Sequence, residues 1–92
     1  LYAYPVLSLE AAEWLAGFRL KGIGVDTVSV DPADSEGYPV HKLFLAKGTL
    51  IVENLVYPDR RLFGKGFQFF CLPLKLEGAE AAPVRAVAVP DG

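Results

Sequence analysis

Two short runs, Ile23-Gly24-Val25-Asp26 and Thr49-Leu50-Ile51-Val52-Glu53, have the same shape: apolar residues that close on a carboxylate. Such a run reads as a buried strand whose end reaches a loop. Between them lies Asp31-Pro32-Ala33-Asp34-Ser35-Glu36-Gly37-Tyr38-Pro39, dense in turn formers and carboxylates, which predicts a surface loop. Pro39 suits the first turn of a helix, and Val40-His41-Lys42-Leu43-Phe44-Leu45-Ala46 carries that helix for about two turns to a terminal Gly48.

Towards the N-terminus, Ser8 stands before Leu9-Glu10-Ala11-Ala12-Glu13-Trp14-Leu15. A hydroxyl cap and first-turn acids therefore introduce good helix formers, and a helix is expected over 9–19. Leu9, Ala12, Leu15 and Ala16 recur at three- and four-residue steps, with Trp14 and Phe18 expected to widen the apolar stripe towards a core. Gly22 is expected to end that segment. Towards the C-terminus, residues 67–76 read as a long strand and residues 83–89 as another, paired antiparallel across the loop from Glu77 to Ala82. Pro73 marks an edge or a bulge. The order helix, strand, helix, strand, then two strands predicts an α/β fold, a mixed sheet with flanking helices.

The chain has 92 residues, which accommodates one domain or a fragment of one over 1–92. With 52% hydrophobic and 22% charged residues it is too apolar for a disordered chain. Nine basic against eleven acidic residues give a net charge of -2, so no electrostatic footprint favours nucleic acid. No apolar stretch approaches the ~20 residues that cross a bilayer, and no membrane partner is expected. A single cysteine, Cys71, cannot form an internal disulfide, and a reducing, cytoplasmic location is the expectation. The absence of methionine suggests a fragment.

Candidate chemistry gathers where loops converge. In a parallel α/β layer, strand C-termini and helix N-termini share one edge, so Asp26, His41 and Glu53 can meet in one crevice. Each has a plain alternative. A lone histidine is more often a surface or satisfied residue than a ligand, and a carboxylate after a strand is often a solvated or capping group. One histidine with scattered carboxylates cannot by spacing complete a structural zinc site. The serines lack a Gly-x-Ser-x-Gly elbow, Cys71 lies in an apolar Phe-Phe-Cys-Leu run that suits an inert thiol, and Gly64-Lys65-Gly66 leads into a strand, which is no phosphate fingerprint.

The ordered string carries more than any single residue. Residues 7–15 (Leu-Ser-Leu-Glu-Ala-Ala-Glu-Trp-Leu) are followed by Gly24-Val25-Asp26-Thr27-Val28-Ser29-Val30-Asp31, then His41, then Ile51-Val52-Glu53-Asn54-Leu55. Leu72-Pro73-Leu74-Lys75-Leu76 and residues 82–88 (Ala-Pro-Val-Arg-Ala-Val-Ala) close it. This order resembles the C-terminal part of the cyclase family of metal-dependent hydrolases, which includes bacterial-type kynurenine formamidase.

The resemblance implies the C-terminal portion of a swivelling β/β/α cyclase-type fold. It implies a metal-dependent amidohydrolase in which metal-activated water cleaves an amide or cyclic amide, such as N-formylkynurenine in tryptophan catabolism. By the same resemblance His41 and Glu53 are metal ligands, and Asp26 lies close to the site, either orienting a ligand or bracing the loop. The family's His-x-Gly-Thr-His-x-Asp-x-Pro run is not in this sequence. A two-metal zinc or manganese site would therefore be completed by a missing N-terminal half or a companion chain, in a homo- or hetero-oligomer, and no general base is identifiable here. The competing expectation is a non-catalytic α/β interaction subunit in which His41 and Glu53 are incidental.

Overall fold

The computed structural model describes residues 3–57 and 60–91. Two compact units divide the chain, one up to Val56 and one from Tyr57 onwards.

The first unit contains helix α1 (Leu9–Ala16), strand β1 (Gly22–Gly24), helix α2 (Pro39–Ala46) and strand β2 (Leu50–Val52). Ser8 caps α1 as its position predicts, its Oγ accepting from the Ala11 N–H at 3.0 Å. The helix ends at Ala16, earlier than residue 19. Gly17 and Phe18 donate to the carbonyls of Trp14 and Leu15, tight three-residue closures, and Arg19 takes a left-handed φ of 55° that no helix continues. Gly22, expected to end that segment, is instead the first residue of β1.

Strands β1 and β2 run parallel with Gly22, Ile23 and Gly24 opposite Leu50, Ile51 and Val52. The pairing is prolonged by the Val25 N–H donating to the Val52 carbonyl and by the Leu55 N–H donating to the Val25 carbonyl. The core of this unit is Ala12, Ala16, Val30, Val40 and Phe44, with Leu7, Leu15, Ile23, Val25, Leu43 and Ile51 packed around it. Trp14 and Phe18 do not join it: they are 67% and 59% exposed and meet each other edge to face at 4.8 Å. The small side chains Ala12 and Ala16 form the buried face of α1. Trp14 lies two positions from each, about 200° around a 3.6-residue helix, and so faces away.

The second unit contains a short 3₁₀ turn over Arg60–Leu62 and strands β3 (Phe67–Pro73) and β4 (Val84–Pro90). The expected antiparallel pair forms, in unbroken register from Phe67 opposite Pro90 to Pro73 opposite Val84. Pro73 therefore marks the end of an edge strand and no bulge. Parallel and antiparallel pairing, expected within one mixed sheet, are distributed over two separate two-stranded sheets. Cys71 is a free, half-buried thiol on β3. No helix among the described residues is long and apolar enough to cross a membrane.

Candidate metal centre

Helix α2 begins without a side-chain cap of its own. Its N-cap position is Tyr38, in a left-handed conformation at φ 47°, and Pro39 at the first helical position has no N–H to satisfy. The next two amides, of Val40 and His41, turn to a residue well upstream. Asp31 Oδ1 accepts from the Val40 N–H at 3.0 Å, and Asp31 Oδ2 accepts from the His41 N–H at 2.9 Å. The Lys42 N–H then makes the first bond within the helix, to the Tyr38 carbonyl. Every early donor of the helix is thus accounted for.

Asp31 also reaches the imidazole. Its Oδ2 lies 2.8 Å from His41 Nδ1, and the opposite ring nitrogen, Nε2, lies 3.1 Å from Glu53 Oε2. The Asp31 side chain is buried, while His41 and Glu53 are partly open to solvent. Burial pushes the Asp31 carboxyl up. The N–H groups of His41 and Val40 and the His41 ring outweigh that push and hold it below its ordinary 3.8.

Glu53 is placed by backbone bonds on either side. It follows β2 directly, between Val52, whose carbonyl accepts from Val25, and Asn54, which takes φ 59° and donates to the Thr27 carbonyl at 2.9 Å. Parallel pairing sets the end of β2 beside the end of β1, and α2 begins where the connecting loop returns. Strand end and helix start therefore bring Glu53 and His41 together as the sequence pattern suggested.

Asp26 is also at that edge, but its side chain is exposed and takes part in none of these bonds. The residue that braces His41 is Asp31, which the loop reading had placed on the surface. It is fully buried instead. The signal for it was the helix start itself: Tyr38-Pro39 supplies no capping side chain, so an acceptor had to come from the loop. Asp31, Asp34, Ser35 and Glu36 all qualified by type, and only the fold selects among them.

A divalent cation suits this donor pair. Nε2 and Oε2 are 3.1 Å apart, less than the sum of two metal–ligand bonds of about 2.0–2.2 Å each, so one ion can touch both without separating them. With Nδ1–H given to Asp31, Nε2 has either a second proton or a lone pair free for a cation, the usual carboxylate–histidine–metal arrangement. Two donors do not complete a site. Among the described residues no group of three or more His, Cys, Asp or Glu side chains is placed to hold a metal ion.

Comparison with known proteins gives the class that this chain resembles. The Cyclase family model matches residues 1–32. Kynurenine formamidase of Delftia acidovorans is 41% identical over 87 residues, covering 95% of this chain and 39% of its own. The enzyme of the same name from Polaromonas naphthalenivorans is 46% identical over 65 residues. Among solved structures, a predicted metal-dependent hydrolase from Bacillus stearothermophilus aligns with a TM-score of 0.81 at 31% identity, over 96% of this chain and 42% of that one. A potential metal-dependent hydrolase with cyclase activity aligns with a TM-score of 0.77 at 30% identity, over 97% and 43%. In sequence and in fold the chain is therefore similar to cyclase-type metal-dependent hydrolases and to kynurenine formamidase. It spans 28–39% of the length of the curated relatives it matches.

Proposed function

We propose that this chain supplies one imidazole and one carboxylate, His41 Nε2 and Glu53, to a divalent metal centre in an amide-hydrolysing enzyme. The observation that carries the reading is the 3.1 Å approach of these two groups with the other ring nitrogen occupied by Asp31. Zinc and manganese both accept such a borderline-to-hard pair. A bound ion of this kind polarises a carbonyl and lowers the pKa of its water towards neutrality. This chain's own contribution is orientation: α2 presents the ring, Asp31 holds it, and the end of β2 presents the carboxylate.

The substrate class is the formamide of N-formylkynurenine or a related amide or cyclic amide, a reading supported by the kynurenine formamidases to which the chain is similar. The remaining ligands come from residues outside these 92, in a longer chain or a companion chain in the cytoplasm. The test is metal affinity in the protein that carries this chain. Both His41→Ala and Glu53→Ala are expected to weaken zinc and manganese binding by more than the about 10–100-fold that loss of a supporting residue usually causes. Unchanged affinity and stoichiometry in both variants overturn the assignment.

A second reading, a non-catalytic interaction subunit, is favoured by the exposed Phe67, Phe69, Phe70 and Leu72 of β3. It predicts a metal-free chain that co-purifies with a partner held by apolar contacts. Intact masses of all polypeptides, together with metal content, separate the two readings.

A further inference from the structure

We propose that Asp31 is the positioning residue for His41, fixing the direction of Nε2 as well as capping α2. The inference rests on the metal-ligand reading of His41 only for its consequence, the loss of metal affinity.

The argument begins with how little freedom Asp31 retains. Its N–H donates to Ser29 Oγ at 3.0 Å, its carbonyl accepts from Tyr4 Oη at 2.7 Å, and its side chain is buried. Ser29 is itself tied, its carbonyl accepting from Thr27 Oγ1 at 2.9 Å. A carboxylate held in this way is a fixed reference point.

Oδ2 then accepts twice from one residue, from the His41 N–H at 2.9 Å and at 2.8 Å from Nδ1. Backbone and ring of His41 are thereby tied to a single atom, which restricts both side-chain torsions at once. The contact also selects the tautomer, because a carboxylate only accepts and Nδ1 must carry the hydrogen. Nε2 is left as the nitrogen turned to Glu53. A cap alone would need only the two amide bonds. The ring contact is an additional feature, and it lies between a buried, immobile group and the partly open face where Glu53 stands.

Two measurements keep this inference separate from the metal reading. The first is nitrogen-15 NMR of the metal-free protein carrying this chain, with His41 signals assigned by their loss in His41→Ala. A protected, hydrogen-bonded Nδ1–H is expected in the unmodified protein. Its absence, with the ring hydrogen on Nε2 alone, overturns the positioning role whatever the metal result, and the hydrogen is read in the unmodified protein. The second measurement is zinc affinity of Asp31→Asn, in which an amide N–H₂ replaces one of the two accepting oxygens. Affinity is expected to fall about 10–100-fold with the fold retained by circular dichroism. Unchanged affinity in a folded Asp31→Asn, where His41→Ala does lose affinity, overturns the role while leaving the metal reading intact. Unchanged affinity in His41→Ala overturns the metal reading, and the Nδ1–H signal then decides the positioning role by itself.

Discussion

The two units solve the problem of order differently. Up to Val56, five apolar side chains are buried and the two buried polar residues, Asp31 and Thr49, are both hydrogen-bonded, Thr49 Oγ1 donating to the Leu20 carbonyl at 3.0 Å. From Tyr57 onwards no described residue is buried. There the regularity comes from a seven-pair antiparallel ladder, in which Phe67, Phe69, Cys71, Ala86 and Ala88 share one face and Phe70, Leu72, Val87 and Val89 share the other. Backbone pairing alone can set register, but a two-stranded sheet is marginal without a layer against it. The candidate metal centre lies in the unit with a core, where packing can hold a ring and a carboxylate at a chosen separation. The ladder offers regular spacing of apolar side chains and no such site.

The sharpest way to test this contrast is to open the core. Phe44 is the largest fully buried side chain, and it sits three positions after His41 on α2. Phe44→Ala is expected to cost about 3–5 kcal/mol, read from the urea midpoint. A cost under about 1 kcal/mol would mean that the first unit is no better packed than the second.

Acid gives a milder route to the same unit. Because the Asp31 carboxyl titrates below its unfolded value of 3.8, the unfolded chain binds its proton first. The stability contributed by Asp31 is therefore fully present above pH 3.8 and is lost as pH falls through the lower folded value. Denaturation midpoints followed from pH 6 downwards should show a loss beginning near 4 in the unmodified protein and a smaller one in Asp31→Asn. Equal slopes would indicate that the hydrogen bonds to Asp31 do not stabilise the fold.

What the sequence revealed follows the same division. Period, caps and breakers are local, so both helices, the two strands that approach a carboxylate and the C-terminal hairpin could be read from neighbours a few positions apart. Pro39 and Gly48 bounded α2 closely, since the first lacks a donor and the second takes a positive φ of 74°. The pairing of His41 with Glu53 was also legible, because strand ends and helix starts share an edge in a parallel layer. Asp31 was missed because its role depends on a ten-residue return of the loop, and a turn-rich, acidic segment looks solvated whichever member turns inward. Trp14 misled for a related reason: size suggested burial, whereas the close approach of α1 to its neighbours is made by alanines.

The smallest expected effect is the one that discriminates best about the second unit. Leu72 lies on β3 opposite Arg85 and is 62% exposed. Truncating it removes part of one cross-strand contact, and such pairs contribute about 0.2–1 kcal/mol. Leu72→Ala should therefore lower stability by less than about 1 kcal/mol, several-fold less than Phe44→Ala, with the antiparallel ladder retained by hydrogen exchange. A loss as large as that of Phe44→Ala would require Leu72 to be desolvated in the working protein, since an exposed methyl group has little transfer free energy to lose. The ladder would then be one half of an apolar contact, and the difference between the two units would be one of how each core is completed.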